Sequence, residues 1–243
     1  MSGRFVVFLL LLAGPFCGSA QAQSADVSAS RAWKWEISAY MLGAGMDGKV
    51  GAGPLVADVD QSFSDILENL EFGAMGRARA TYGAWSFGTD IIYMGLGFSS
   101  DQPNLEVDVD QWAVELNIGY QLAPIFMSLV GVRYNQLSTA IELETFGRAT
   151  SGKVDWWDPI IGGILTLPIG ERWNFQFHAD IGGFGIGSSS DLAWQIETLF
   201  NWFFTPKTSL MMGYRYVSTD YDHSGFVYDV VSQGPQLGIT MRF

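Results

Sequence analysis

Leu237-Gly238-Ile239-Thr240-Met241-Arg242-Phe243 closes the chain with strict alternation of apolar residues and residues that are polar or glycine. In an extended strand successive side chains point to opposite faces, so Leu237, Ile239, Met241 and Phe243 share one face while Gly238, Thr240 and Arg242 share the other. Nothing follows in the sequence as it stands to fold over the apolar face, and the expectation is that lipid covers it. Working back from this stretch, the same period of two recurs nine more times. The segments are 33–46, 72–82, 85–97, 108–122, 125–137, 156–168, 172–186, 191–204 and 208–219, with 231–243 the last.

Connections between these segments alternate in length. Gly83-Ala84, Ala123-Pro124, Ile169-Gly170-Glu171 and Thr205-Pro206-Lys207 read as tight turns, carrying the glycine and proline such turns favour. Longer links are expected over 47–71, 98–107, 138–155, 187–190 and 220–230. An even strand count with short turns at one end and long loops at the other predicts an all-β fold, a closed antiparallel up-and-down transmembrane β-barrel. Ten strands are expected, with eight the alternative. Closure is required because an open edge in hydrocarbon would leave unpaired N–H and C=O groups.

The front of the chain points the same way. Arg4 precedes the apolar run from Phe5 to Ala13, small residues follow, and the segment closes on Ala20-Gln21-Ala22, the order of a cleavable secretory signal. The run is too short for a spanning helix, which needs about 20 apolar residues. The expected organisation is a signal peptide over 1–22, a periplasmic N-terminal segment over 23–32 and the barrel over 33–243. Cys17, the one cysteine, lies in the signal, so the mature chain is expected to have no thiol or disulfide chemistry.

Composition separates a membrane barrel from a soluble sandwich. Hydrophobic residues make up 48% and aromatics 14%, with nine Trp. A soluble sandwich would set solvated Lys, Glu and Ser opposite these on every strand; here the opposite faces are sparse and include glycine. A net charge of −12 and the lack of any basic patch exclude a nucleic-acid partner. No phosphate-cradling glycine loop followed by Lys-Ser/Thr and no Cys/His metal set is present.

With the signal, the terminal aromatic strand and phrases such as Gly213-Tyr214-Arg215-Tyr216 and Trp157-Asp158-Pro159, the chain resembles small Gram-negative outer-membrane β-barrels of the OmpA and OmpW type. The resemblance is generic and covers the whole mature chain. It implies an outer-membrane location, periplasmic termini, and outer-membrane lipid with the secretion and barrel-assembly machinery as partners. It also implies that Leu237, Ile239, Met241 and Phe243 act as the assembly signal. The ten strands depart from the eight of the best-known small members. A monomer is expected.

Assigning faces places six cations, Lys34, Arg77, Arg79, Arg133, Arg215 and Arg242, on the polar sides of the strands. Six anions, Glu36, Asp90, Glu115, Asp158, Asp180 and Glu197, stand against them. A charge removed from water needs a compensating partner, so these twelve are expected to form a paired network filling the lumen. A structural or binding protein is the resulting expectation, with a narrow channel for ions or small solutes as the alternative.

The remaining acids crowd the long links. Asp58 with Asp60, and Asp108 with Asp110, offer weak candidate sites for divalent cations, but neither has the glycine turn and terminal glutamate of an EF-hand. No other cofactor is expected. Ser64-Asp65-Ile66-Leu67-Glu68-Asn69-Leu70 predicts a short amphipathic helix in the first link. Of the two histidines, His178 shares a strand face with Asp180 and is expected to be a satisfied interior residue; His223 lies in a link. A rim-located outer-membrane hydrolase is the enzymatic alternative, and no catalytic residue is assigned.

Overall fold

The computed structural model describes residues 32–53, 55–101, 104–143 and 148–243. The expected signal, 1–22, and nearly all of the expected 23–32 segment fall outside the described residues.

Strands β1 (Lys34–Leu42), β2 (Gly45–Ala52) and β3 (Leu55–Gln61) lead into helix α1 (Phe63–Glu68). Next come β4 (Leu70–Tyr82), β5 (Trp85–Asp101), β6 (Asn104–Ala123), β7 (Phe126–Leu143) and β8 (Arg148–Ile169). The chain closes with β9 (Trp173–Gly183), β10 (Leu192–Thr205), β11 (Thr208–His223) and β12 (Phe226–Arg242). β1 and β4 to β12 pair in sequence order, and β1 pairs with β12, so ten strands close an antiparallel barrel. At the seam the Phe243 N–H donates to the Trp35 carbonyl at 2.9 Å, and the Trp35 N–H donates to the Phe243 carbonyl at 3.2 Å.

Strand periodicity sorts the side chains. Along β1, Ile37 and Met41 face outward at 51% and 68% exposure, while Ser38 and Tyr40 between them are buried. Trp35, Trp85, Trp157, Phe200 and Ile239 continue the exposed apolar band around the barrel. A band of this size would be unstable in water and is the surface a bilayer covers. Leu237, Met241 and Phe243 belong to it.

Several strand limits differ from expectation. The first expected strand, 33–46, breaks at Gly43-Ala44 and resumes as β2 alongside the same partner, β12. Gly234 permits the break, since a Cβ there would lie 2.7 Å from the Ala44 Cα, closer than a side chain tolerates. β2 turns back into β3, so the expected 47–71 link contains a hairpin beyond the ten barrel strands.

The expected links 98–107, 138–155 and 220–230 are largely strand. β5 to β8 run 17, 20, 18 and 22 residues, where a tilted bilayer crossing needs about 9–11. These hairpins project past the apolar band, where water replaces lipid and both faces can be polar, so the alternation that marks the spanning parts fades. Ser224 and Gly225, both at positive φ, form the tight turn between β11 and β12.

Helix α1 begins two residues earlier than expected. Ser62 caps it, accepting from the Asp65 N–H at 3.3 Å while its own N–H donates to Asp65 Oδ2 at 2.9 Å. The Ser62 hydroxyl, which donates to Asp65 Oδ2 at 2.6 Å, and the Ser62 N–H together hold the solvent-exposed Asp65 carboxyl below its ordinary range. Ile66 turns into the barrel at 6% exposure and Leu67 turns out at 49%.

Candidate functional site

Register places the site. Arg77, Asp90, Glu115, Arg133 and Asp158 are direct partners across β4 to β8, so five consecutive strands aim an ionisable side chain at one level of the lumen. Asp180 opposite Gln195, and Glu197 opposite Arg215, continue the level on β9 to β11. Gly162 faces Asp180 because a Cβ there would lie 2.5 Å from the Asp180 Cβ. That glycine leaves the space the carboxylate fills.

Bonds cross the lumen as well as following its wall. Arg77 donates through Nη1 and Nη2 to Glu197 at 3.0 and 2.7 Å and through Nη2 to Asp90 at 2.9 Å. Arg215 donates to Asp90 at 2.9 Å and, through Nε and Nη2, to Gln195 Oε1 at 3.2 and 2.8 Å. Arg133 Nη2 reaches Glu115 and Asp180, both at 2.9 Å. The Tyr40 hydroxyl donates to Asp90 at 2.6 Å, and Gln236 donates to Glu197 at 2.8 Å. Charged and bidentate bonds shielded from water are the strong ones, although Arg133 Nε and Nη1 are buried without partners among the described residues.

The twelve expected network residues do not all join it. Arg242 pairs with Glu36 separately, nearer the termini. Among the described residues Lys34 and Arg79 make no ion pair, and Lys34 is exposed. Asp158, fully buried, has no cation within ion-pair distance among the described residues. It accepts instead from the Ser190 N–H at 2.7 Å, the Ser190 hydroxyl at 3.0 Å, Trp156 Nε1 at 3.1 Å and Asn135 at 3.1 Å. Neutral donors can satisfy a carboxylate as completely as a guanidinium, which a count of charges does not reveal. Tyr40, Gln195, Gln236 and Ser190 were therefore missing from the expected site. The first three stand on inward faces and were legible by alternation; Ser190 lies in a link.

His178 also departs from expectation. It is 9% exposed, and its Nε2 is buried without a hydrogen-bond partner, although Asp180 Oδ2 lies 3.2 Å away. Glu115, His178 and Asp180 each offer a ligand atom within 4.8 Å of the others. The expected loop pairs behave differently. Asp58 stands opposite Lys49 and Asp60 opposite Asp47 on the β2–β3 hairpin, while Asp110 accepts from the Tyr93 hydroxyl at 2.6 Å. Neither Asp58/Asp60 nor Asp108/Asp110 gathers a third ligand among the described residues.

The ionic layer lies between two cavities. The one away from the termini, about 100 Å³, is walled by Met46, Ile66, Met75, Met94, Leu137 and Trp156 and floored by Asp90, Glu115, Arg133 and Arg215. The one toward the termini, about 60 Å³, is polar and lined by Glu36, Arg79, Gln176, His178, Asn201 and Arg242. Asp90 and Glu115 border both. The expected lumen was charged throughout; half of it is apolar. There Trp156 stacks on Tyr221 at 4.4 Å between ring centroids and packs on Tyr228 at 5.5 Å, bridging β8 to β11 and β12 above the shorter β9 and β10. Tyr221, Tyr228 and Val230 fall in the expected 220–230 link and were not read as inward-facing.

Closed antiparallel pairing, a continuous outward apolar band and a polar layer inside define an outer-membrane type of β-barrel. No family model matches the chain, and no curated protein matches it by sequence. Among solved structures it is similar to the outer-membrane protease OmpT of Escherichia coli, with a TM-score of 0.53 at 11% identity, over 88% of this chain and 98% of that one. Looser likenesses are to Ail, the attachment invasion locus protein of Yersinia pestis (TM-score 0.44, 11% identity, 87% of this chain and 98% of that one), and to Neisserial surface protein A (TM-score 0.36, 12% identity, 87% and 97%). At 11% identity the likeness to OmpT shows the fold alone.

Proposed function

We propose that the protein is a Gram-negative outer-membrane barrel that binds a small molecule rather than conducting solutes. Its termini and short turns face the periplasm and its long hairpins face outward. The ionic layer between the two cavities supports this reading. Arg77, Asp90, Arg215, Gln195, Glu115 and Arg133 bond to one another across the lumen, so a solute passing through has to break several charged hydrogen bonds in a low-dielectric interior. Barrels of this size have interiors that side chains largely fill.

The outward cavity is the binding site in this proposal. Its walls are methionine, aliphatic and aromatic side chains, which adapt to apolar ligands, and its floor offers polar groups to orient them. A volume of about 100 Å³ suits a body of roughly one aromatic ring. Neither histidine receives a catalytic role: His178 faces the ionic layer, and His223 stands at the end of β11.

Single-channel recording in planar bilayers tests the closed lumen, with no steady conductance above leak expected; stable open events overturn it. Calorimetric titration with toluene tests the site. Saturable binding that Trp156→Leu weakens is expected, and absence of saturable binding, or equal binding in both chains, overturns the site.

A further inference from the structure

We propose that Glu115, His178 and Asp180 hold one divalent transition-metal ion inside the barrel, within the ionic layer. Two strands supply the ligands. Glu115 comes from β6, while His178 and Asp180, two residues apart, share the inward face of β9. One imidazole nitrogen and two carboxylates are a donor set that suits zinc and its first-row neighbours better than calcium or magnesium, which prefer all-oxygen sites.

Three observations carry the proposal. The three ligand atoms already lie within 4.8 Å of one another, so closing to bond lengths near 2.0–2.2 Å takes side-chain adjustment and no change of strand register. Next, His178 Nε2 is buried and makes no hydrogen bond among the described residues, although Asp180 Oδ2, a second ligand atom, lies 3.2 Å away. The third is charge. At the level of the layer Asp90, Glu115, Asp158, Asp180 and Glu197 are set against Arg77, Arg133 and Arg215, with Arg79 lining the same cavity as His178 and Glu115. Five carboxylates against four guanidinium groups leave a formal surplus of one negative charge, which a bound cation offsets.

Access and exchange are built into the same place. His178 and Glu115 border the polar cavity that opens toward the termini, giving an ion a hydrated route. Gln195 Nε2 donates to Glu115 Oε2 at 3.2 Å and to Asp180 Oδ2 at 2.5 Å, so it stands between the oxygens a metal would draw together. Arg133 Nη2 meets Glu115 Oε2 and the other Asp180 oxygen, Oδ1, and holds both carboxylates in place. A bound ion displaces the Gln195 amide from the carboxylates and leaves its bonds to Arg215 intact.

The test is calorimetric titration of Zn²⁺ into the full chain, folded in detergent and stripped with chelator. One site per barrel with a dissociation constant of micromolar or tighter is expected, weakened at least tenfold in His178→Gln and in Glu115→Gln. Gln195→Glu, which turns the displaced amide into a further ligand, is expected to tighten binding. Asp58→Asn and Asp108→Asn leave it unchanged. X-ray absorption of the zinc-loaded wild type needs no variant and is expected to show one imidazole nitrogen among oxygen ligands. Absence of a one-to-one site overturns the proposal. So do binding that survives His178→Gln, binding that disappears with the loop aspartates, or a doubly protonated His178 that fills the site at neutral pH.

Discussion

Replacing Arg77 with leucine tests whether the ionic layer is held together as the geometry indicates. The guanidinium serves two carboxylates, and they lose it unequally. Asp90 keeps Arg215 at 2.9 Å and the Tyr40 hydroxyl at 2.6 Å. Glu197, 3% exposed, keeps only the Gln236 amide at 2.8 Å, with His178 Nδ1 at 4.0 Å. Almost the whole penalty therefore falls on Glu197, a buried carboxylate stripped of its cation, and such a loss costs about 3–5 kcal/mol. Removing Glu197 as well relieves it. The double variant Arg77→Leu/Glu197→Leu is expected within about 1–2 kcal/mol of wild type, because packed apolar groups often replace a buried ion pair at little net cost. Urea unfolding in lipid vesicles, followed by tryptophan fluorescence, measures both, and the double-mutant cycle isolates the pair. The reasoning fails if Arg77→Leu costs under about 1 kcal/mol, a surface-pair value, or if the double variant is less stable than either single one.

Trp156→Ala removes a 3% exposed ring that stacks on Tyr221 and donates to Asp158. A loss of about 3–5 kcal/mol is expected in the same unfolding assay, whereas Trp157→Ala on the lipid face is expected to cost clearly less. Deleting Phe243 removes two backbone bonds to Trp35, about 1 kcal/mol each; folded stability should fall modestly while the yield of folded barrel in cells, read by heat-shifted gel mobility, should fall steeply, as the resemblance implies for an assembly signal. Equal losses in both readouts would remove that distinction. Asp65 titrates below its ordinary range because Ser62 hydrogen-bonds its charged form. The contribution of the cap is thus present above the unfolded pKa and lost as pH falls through the folded one. In Ser62→Ala the Asp65 midpoint, followed by NMR, should rise, and an unchanged midpoint would show that the capping box is not the cause.

Lipid makes half of this structure legible. Where a bilayer covers one face, every second residue has to be apolar, and Trp35, Trp85, Trp157, Phe200 and Ile239 announce both the strand and its orientation. That constraint lapses where the hairpins rise into water. The expected ends of β5 to β8 therefore fell short, and the inward-facing Tyr221 and Tyr228 passed as link residues. The candidate site was legible as a set of inward charges but not as a set of bonds. Neighbouring partners such as Glu115 and Arg133 follow from hairpin register. Arg77 and Glu197 are 120 residues apart and meet across the lumen, a contact that depends on how the barrel closes. Closure also leaves Arg79 without an ion pair among the described residues and gives Asp158 to Ser190.

The interruption at Gly43-Ala44 has a consequence for the order in which the molecule is completed. Among the described residues β2 pairs with β3 and β12, and β12 is the tenth barrel strand in chain order. The early hairpin therefore takes its place in the wall from the strand that closes the barrel. α1 follows that hairpin and sets Ile66 into the cavity, so the lining of the cavity depends on the same closure. The cavity is thus finished by the same event that seals the wall, and a barrel caught before closure has neither.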